Sequence, residues 1–374
     1  MPSAIWSCNN RPASRATFSC NALRHSPKES RVQAVAAPFT SSSTPAIELE
    51  GVTKSFGPKI AVHPLALTIP RGSLIGFIGP NGAGKTTTIR MIMSILFPDA
   101  GTIRVLGKSS AIESKDRIGY LPEERGIYKK MRVGKFITYI ARLKGMRDAL
   151  PNGQSLDRLV RQWLERVGLS DCYSKRCEEL SKGMQQKVQF VASIIHDPEL
   201  IILDEPFSGL DPVNSRLLRE LIDEQHKAGR TIIFSTHQMS QAEALCDRIV
   251  MIHQGRKVLD NTPSQIRATF DPRSIDVEPA VHGFDGASAL RSLPEIDRVD
   301  PIRGGFRAHL REGVTDAASV VPRLAAVVPV RRIEVVQPTL EDIFVDIVQG
   351  SGLSTEQRDT LLASLRGRGD TSGD

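Results

Sequence analysis

Residues 74–87 read Leu74-Ile75-Gly76-Phe77-Ile78-Gly79-Pro80-Asn81-Gly82-Ala83-Gly84-Lys85-Thr86-Thr87. Leu74 to Ile78 is an apolar run of strand length. From Lys85 the spacing predicts a helix reaching Leu96, stopped by Pro98. Between them, Gly79 to Thr86 satisfies the pattern G-x-x-x-x-G-K-S/T in full. Strand, glycine-rich loop and helix in that order form a phosphate cradle. The glycines let backbone N–H groups approach the oxygens, and the helix N-terminus adds a favourable dipole. Lys85 is expected to reach the β- and γ-phosphates of a nucleotide, and the Thr86 hydroxyl to ligate Mg²⁺.

A nucleotide site of this kind also needs carboxylates, and Leu200-Ile201-Ile202-Leu203-Asp204-Glu205 supplies two at the end of an apolar strand. Open α/β sheets bind ligands at that end. Asp204 suits the Mg²⁺ shell and Glu205 suits polarising an attacking water. Further strands are expected at Ile47 to Glu50 (closed by Gly51), Leu65 to Ile69, Thr102 to Leu106, Arg117 to Tyr120, Thr231 to Phe234 and Arg248 to Ile252. Two helices divided by Pro151-Asn152-Gly153 are expected between Val133 and Gly168, another from about Ser181, and one at Val213 to Ala228. Strands alternating with helices imply an α/β domain with a mainly parallel sheet.

After about Thr262 the rhythm changes. A strand (Arg273 to Val277), a helix (Gly286 to Leu293), a hairpin about Gly304-Gly305 (Arg298 to Ile302 and Phe306 to Leu310), a helix (Asp316 to Val327) and a strand (Arg332 to Val336) are expected. That β-α-β-β-α-β order is the ferredoxin-like α+β plan. A short amphipathic helix follows at Leu340 to Val348. The expected organisation is therefore an N-terminal segment over 1–45, a nucleotide-binding domain over 46–262, a C-terminal accessory domain over 263–349 and a flexible tail over 350–374.

Leu180-Ser181-Lys182-Gly183-Met184-Gln185-Gln186 opens a helix 23 residues before Asp204. Here the chain resembles the nucleotide-binding subunits of ABC transporters, whose signature reads LSGGQ; Lys182 and Met184 depart from it. The resemblance covers about Ile47 to Pro263. It implies a P-loop NTPase cassette, with a RecA-like core, an antiparallel β part and a helical subdomain, that binds ATP and Mg²⁺ and hydrolyses ATP. It further implies that Ser181 and Gly183 cradle a γ-phosphate and that Asp211, in Ser208-Gly209-Leu210-Asp211, belongs to the D-loop. His237, after Ser235-Thr236, is implied to contact the γ-phosphate, and Phe56 to stack on adenine. Gly79, Pro80, Asn81, Gly82, Ala83, Gly84, Lys85, Thr86 and Thr87 form the implied phosphate site, with Glu205, His237 and Lys85 catalytic. Glu123 stands where the family has a Q-loop glutamine, and with Thr86 and Asp204 it completes the implied metal set.

Leu121-Pro122-Glu123-Glu124-Arg125-Gly126-Ile127-Tyr128, Leu180 to Lys187 and the terminal Gln337-Pro338-Thr339-Leu340-Glu341-Asp342-Ile343-Phe344 resemble a subgroup of exporters that includes sodium-exporting ATPases. One phosphate loop and one signature per chain imply a head-to-tail pair of cassettes, from a homodimer or a paralogue. A separate transmembrane permease is the implied partner, because no run approaches the roughly 18 apolar residues of a membrane span. The implied location is peripheral, on the cytoplasmic face of the cell membrane. Alternatives are an ATPase acting on nucleic acid or ribosomes, an importer ATPase, or a drug or peptide exporter.

Charge speaks against nucleic acid. Of 49 Lys and Arg against 42 Asp and Glu, residues 1–45 hold five basic groups and one acid, leaving 44 against 41 elsewhere. The excess in the main body is only +3, spread among acids, so it makes no basic footprint. Residues 1–45, with nine serines and no acid before Glu29, read as a disordered tail, a transit peptide or a stretch upstream of the true start. Five scattered cysteines without CxxC, and no histidine at zinc spacing, speak against disulfide and zinc frameworks.

Overall fold

A computed structural model describes residues 44–349, except 125, 152, 270–273, 282, 312, 315 and 337–338. The expected N-terminal segment up to residue 43, the tail over 350–374, Arg273, Asn152 and the Gln337-Pro338 pair lie outside the described residues.

The central sheet has six strands. These are β3 (Leu74–Ile78), β5 (Ile118–Leu121), β6 (Leu200–Asp204), β7 (Thr231–Thr236), β8 (Arg248–His253) and β9 (Arg256–Asn261), in the spatial order β5-β6-β7-β3-β8-β9. All pairs are parallel except β8–β9. Every residue of β3, β6 and β7 is buried, because strands covered on both faces carry apolar residues at successive positions rather than alternate ones. Alternation still sorts them between two cores. Leu74, Ile78, Ile201, Leu203, Ile232 and Phe234 face one core, and Ile75, Phe77, Leu200, Ile202 and Ile233 face the other.

The second of these cores is closed by an antiparallel sheet, β2-β1-β4, made of β1 (Ile47–Phe56), β2 (Lys59–Ile69) and β4 (Ala100–Val105), and by α1 (Lys85–Ile92). The first is closed by α2 (Val133–Leu143), α3 (Leu156–Arg166), α4 (Lys182–Ile194) and α5 (Pro212–Lys227). Gly51 does not end its strand. At φ +61 it sits in a register shift between Leu49 and Val52, and β1 runs on to Phe56. Helix α1 stops at Ile92 and not at Leu96, because Ser94 turns to φ +56 and the amides of Ile95 and Leu96 both bond the carbonyl of Arg90.

The strand β9, the helices α6 (Met239–Leu245) and α7 (Pro263–Thr269), and 3-10 turns at Ala111–Arg117, Ser170–Cys172 and Cys177–Glu179 went unforeseen. Beyond them lies a second antiparallel sheet of four strands. Its members are β10 (Ser274–Pro279), β11 (Ile296–Ile302), β12 (Gly305–Leu310) and β13 (Val330–Val336), in the order β11-β12-β10-β13. Helix α8 (Gly286–Arg291) and α9 (Val321–Val327) pack over it around Leu290 and Leu324. The region read as one helix over 316–327 is a 3-10 turn at Ala317–Val320 followed by α9, with a proline at the start of the α-helical part. The last helix, α10 (Leu340–Gln349), buries Leu340, Ile343 and Phe344 in the core shared by the large sheet and α2 to α5.

Candidate functional site

Strand β3 delivers Gly79 at its C-terminal end, and the loop to α1 closes on glycine conformations. Gly79 lies at φ +150, where an added Cβ would come 2.1 Å from the Ile252 carbonyl oxygen. Gly84, immediately before α1, lies at φ +108 with the Ala61 carbonyl 2.7 Å from a would-be Cβ. No larger residue fits either place. Lys85 curls back over the loop, its Nζ donating to the carbonyls of Gly79 (2.8 Å) and Pro80 (3.3 Å). The same Nζ stands 3.6 Å from Glu205 Oε1, with both groups buried. Burial lowers the ammonium pKa, and the carboxylates of Glu205 and Asp204 pull it back up.

Beside this loop a cleft of about 320 Å³ opens, lined by residues 81–87, Glu123 and Glu205, with Phe56, Lys59 and Ala61. Phe56, at the end of β1, is 50% exposed, and Lys54 Nζ lies 5.8 Å from its ring centroid. An exposed aromatic at a cleft mouth offers a flat face to a base.

The carboxylates enter from neighbouring strands. Asp204 ends β6, where Ser235 of β7 is its register partner. The Ser235 hydroxyl donates to Asp204 Oδ1 at 2.5 Å and accepts the amide of Glu205 at 2.9 Å. One buried side chain therefore sets both acids. Glu205 itself holds φ +49, an unusual conformation for a non-glycine residue. His237 Nδ1 lies 3.0 Å from Glu205 Oε2, and that contact raises the imidazole pKa. Burial raises the Asp204 carboxyl pKa, against the opposing bond from Ser235. Thr86 Oγ1 sits 3.3 Å from Asp204 Oδ1 and 3.4 Å from Glu123 Oε2.

Glu205 Oε1 has no hydrogen-bond partner although it is buried. Its nearest cation is the Lys85 ammonium at 3.6 Å, too long for a hydrogen bond, which leaves acceptor capacity for an attacking water. The group Thr86, Asp204 and Glu123 offers oxygen donors alone, the chemistry that Mg²⁺ takes. No cluster of three or more His, Cys, Asp or Glu among the described residues could hold an ion by itself. A cation here would complete its shell with phosphate oxygens and water, as Mg²⁺ ordinarily does. The residues present fit a magnesium nucleotide.

Ser181, Gly183 and Asp211 do not line the cleft. Ser181 caps α4, its Oγ accepting the amide of Met184 at 3.3 Å. Asp211 caps α5 by accepting the amide of Asn214 at 2.9 Å, a bond that lowers its pKa. A Cβ on Gly183 would lie 3.4 Å from Asn214 Nδ2, so the two helix N-termini stand side by side. The chain thus presents two groups, a cleft with its acids and a separate pair of capped helix starts.

Sequence reasoning missed Lys59, Ser235 and Tyr120. Lys59 faces the cleft only because β1 and β2 pair at Phe56 and Lys59. Ser235 preceded the expected His237 in plain view, but its role depends on β6 and β7 being neighbours. Tyr120, whose pKa burial raises to about 12, feels the charges of Asp204 and Arg90.

The model of the ABC transporter family matches residues 62–208, and that of the C-terminal domain of DrrA1-3-like ATP-binding proteins matches residues 262–348. An uncharacterized ABC transporter ATP-binding protein of Alkalihalophilus pseudofirmus is 42% identical over 274 residues, 72% of this chain and 98% of that protein. The Nod factor export ATP-binding protein I of Burkholderia lata is 36% identical over 220 residues, 58% of this chain and 71% of that protein. A solved ATP-binding subunit of an ABC transporter superposes with a TM-score of 0.54 at 30% identity, covering 60% of this chain and 93% of its own.

Proposed function

The chain belongs to the ABC transporter ATP-binding proteins, and from that premise we propose that it powers export through a separate membrane permease. It carries an ATPase cassette and is an ATP-hydrolysing subunit. The observation that carries the site assignment is the convergence of Lys85, Asp204, Glu205 and His237 at the C-terminal ends of β3, β6 and β7.

In this reading Phe56 stacks on the adenine, and the amides of Gly79 to Thr87 wrap the phosphates. Lys85 exchanges its carbonyl contacts for phosphate oxygens. Thr86, Asp204 and Glu123 are the residues that would hold Mg²⁺, which would neutralise phosphate charge when bound. Glu205 Oε1 accepts a hydrogen bond from the attacking water, while His237 holds the other carboxylate oxygen. Ser181, Gly183 and Asp211 serve the cleft of a second cassette, from another copy or a paralogue, in head-to-tail pairing. None of the three lines the chain's own cleft, which supports that arrangement.

The domain boundaries we adopt are 46–262 for the cassette and 263–349 for the accessory domain. Among the described residues no helix is long and apolar enough to cross a membrane; peripheral attachment to a permease on the cytoplasmic face is what membership of the ABC transporter family supports. Export is supported by the Nod factor export relative and by the resemblance of the Leu340 to Phe344 stretch to the end of exporter ATPases. For the cargo we infer sodium, on the resemblance of Leu121 to Tyr128 and Leu180 to Lys187 to the sodium-exporting subgroup.

Glu205→Gln should retain ATP binding and lower turnover by about 10²–10³-fold, the scale of removing one group from a preorganised site. Full turnover in that variant would remove Glu205 from its role. In inverted vesicles holding the chain and its permease, ATP should drive radiolabelled sodium into the lumen. Sodium that stays outside while a drug or peptide is moved overturns the cargo assignment.

A further inference from the structure

Helix α6 begins two residues after His237, and it is only seven residues long. A helix that short does not hold itself in water, so its position is set by what it packs against. One support is β3. A Cβ on Gly76 would lie 3.0 Å from Ala242 Cβ and 2.8 Å from Cys246 Sγ, so α6 approaches the strand that feeds the phosphate loop as closely as glycine permits. The other support comes from the far end of the chain. Met239 and Ala242 of α6 share one buried cluster with Leu340, Ile343 and Phe344 of α10, and the two helices pack directly. The Phe344 ring is fully buried and meets the ring of His253 edge to face, with centroids 5.5 Å apart. His253 ends β8, and two residues later the Gly255 amide donates to the Ala83 carbonyl of the phosphate loop at 2.8 Å. The last described helix is therefore built into the wall that carries His237, with a second footing beside the phosphate loop.

We propose that Ile343 and Phe344 of α10 are positioning residues for ATP hydrolysis: by holding α6 they hold His237 against Glu205, so the region after the cassette sets the cassette's turnover. The inference rests on the assignment of Glu205 and His237 to the hydrolytic site. In other respects it is independent of cargo and permease. Hydrolysis depends on Glu205 being held at the water, and displacements of about an ångström are worth up to about a hundredfold in rate. Binding of ATP draws on Phe56, Lys85 and the loop amides, none of which belongs to α6 or α10.

The test uses the full chain. Phe344→Ala should lower kcat for ATP about tenfold while the KM for ATP moves less than about threefold, a split that general loosening would not produce. Hydrogen exchange should quicken over Met239–Leu245 and stay unchanged over Leu74–Ile78. Phe344→Leu, which keeps an apolar side chain in the same space, should recover most of the turnover. Ile343→Ala carries the same expectation if Phe344→Ala does not fold. His237→Ala is the control for the premise. Unimpaired turnover in His237→Ala would bring down the site assignment itself. Lost turnover in His237→Ala beside unchanged kcat in the α10 variants overturns only the proposal. It is equally overturned if the α10 variants lose self-association while each assembled cassette hydrolyses at the original rate.

Discussion

Replacing Ser235 with alanine removes one oxygen atom, and with it both bonds that set the two acids. The side chain is fully buried, so water does not reach in to replace them. Asp204 loses a 2.5 Å hydroxyl donor, and the Glu205 amide loses its 2.9 Å acceptor. A hydrogen bond to a charged group contributes about 1.5–3 kcal/mol, and a buried donor left without a partner costs about 1–3 kcal/mol. The second loss falls on a residue already held at φ +49, whose carboxylate must stay 3.0 Å from His237 Nδ1. If about 2 kcal/mol of this appears in the transition state, kcat falls about thirtyfold, at about 1.4 kcal/mol per tenfold. Phe56, Lys85 and the phosphate-loop residues do not touch Ser235, so ATP affinity without magnesium should move little. The assay is steady-state hydrolysis at saturating magnesium and ATP, beside equilibrium binding of a fluorescent ATP analogue. A folded Ser235→Ala protein with kcat within threefold of the parent would refute the view that one hydroxyl sets both carboxylates.

Gly79→Ala should abolish ATP binding and destabilise the fold by about 3 kcal/mol or more, because its Cβ meets backbone rather than a movable side chain; binding and melting measurements check this. Gly82→Ala, at φ +79 but with open space around the new Cβ, should cost only about 1–2 kcal/mol in the same melt. Glu199 lies on the rim of the sheet, where Arg117, first, and then Arg71 hold its carboxyl down at about 2 against an ordinary 4.5. A depressed carboxylate stabilises the fold above the unfolded-state value, and that contribution is lost as pH falls through the folded one. The advantage of the parent over Glu199→Gln should thus be steady above about pH 4.5 and vanish towards pH 2. It should be below about 1 kcal/mol, since the pair is solvent-screened. An advantage that persisted unchanged at pH 2 would contradict the pairing.

How far the sequence could be read follows from where each feature is encoded. The phosphate loop and the strands β3, β6 and β7 were legible because their signals are local, in the form of glycines at fixed offsets and runs of apolar residues buried on both faces. Helix α6 was not, since only Met239 and Ala242 of its seven residues are buried, and its support comes from Gly76 and α10, each about a hundred or more residues away in sequence. Strand β9 is half-exposed and polar, and its register is set by β8 alone. Gly51 looked like a stop because a positive φ serves a turn and a bulge equally well. Ser235 could be numbered but not assigned, because its partnership with Asp204 exists only once β6 and β7 lie in parallel register.

The same distinction bears on how two cassettes would work together. Gln186, the last signature residue, donates from its buried amide to the Pro206 carbonyl at 3.1 Å, one residue beyond Glu205. Gly183 lies against Asn214, whose amide is capped by Asp211. The start of α4, the turn after Glu205 and the start of α5 are therefore fastened together within one chain. In a head-to-tail pair this block would belong to both clefts. Glu205 would serve its own chain's nucleotide, while Ser181 and Gly183 would serve the partner's. A displacement of the signature on closing over the partner's γ-phosphate would be felt at the turn that positions Glu205, without any contact between the two nucleotides. Coupling of the two hydrolysis events then needs only the rigidity of a buried amide bond and two capped helix ends, all encoded within residues 181–214.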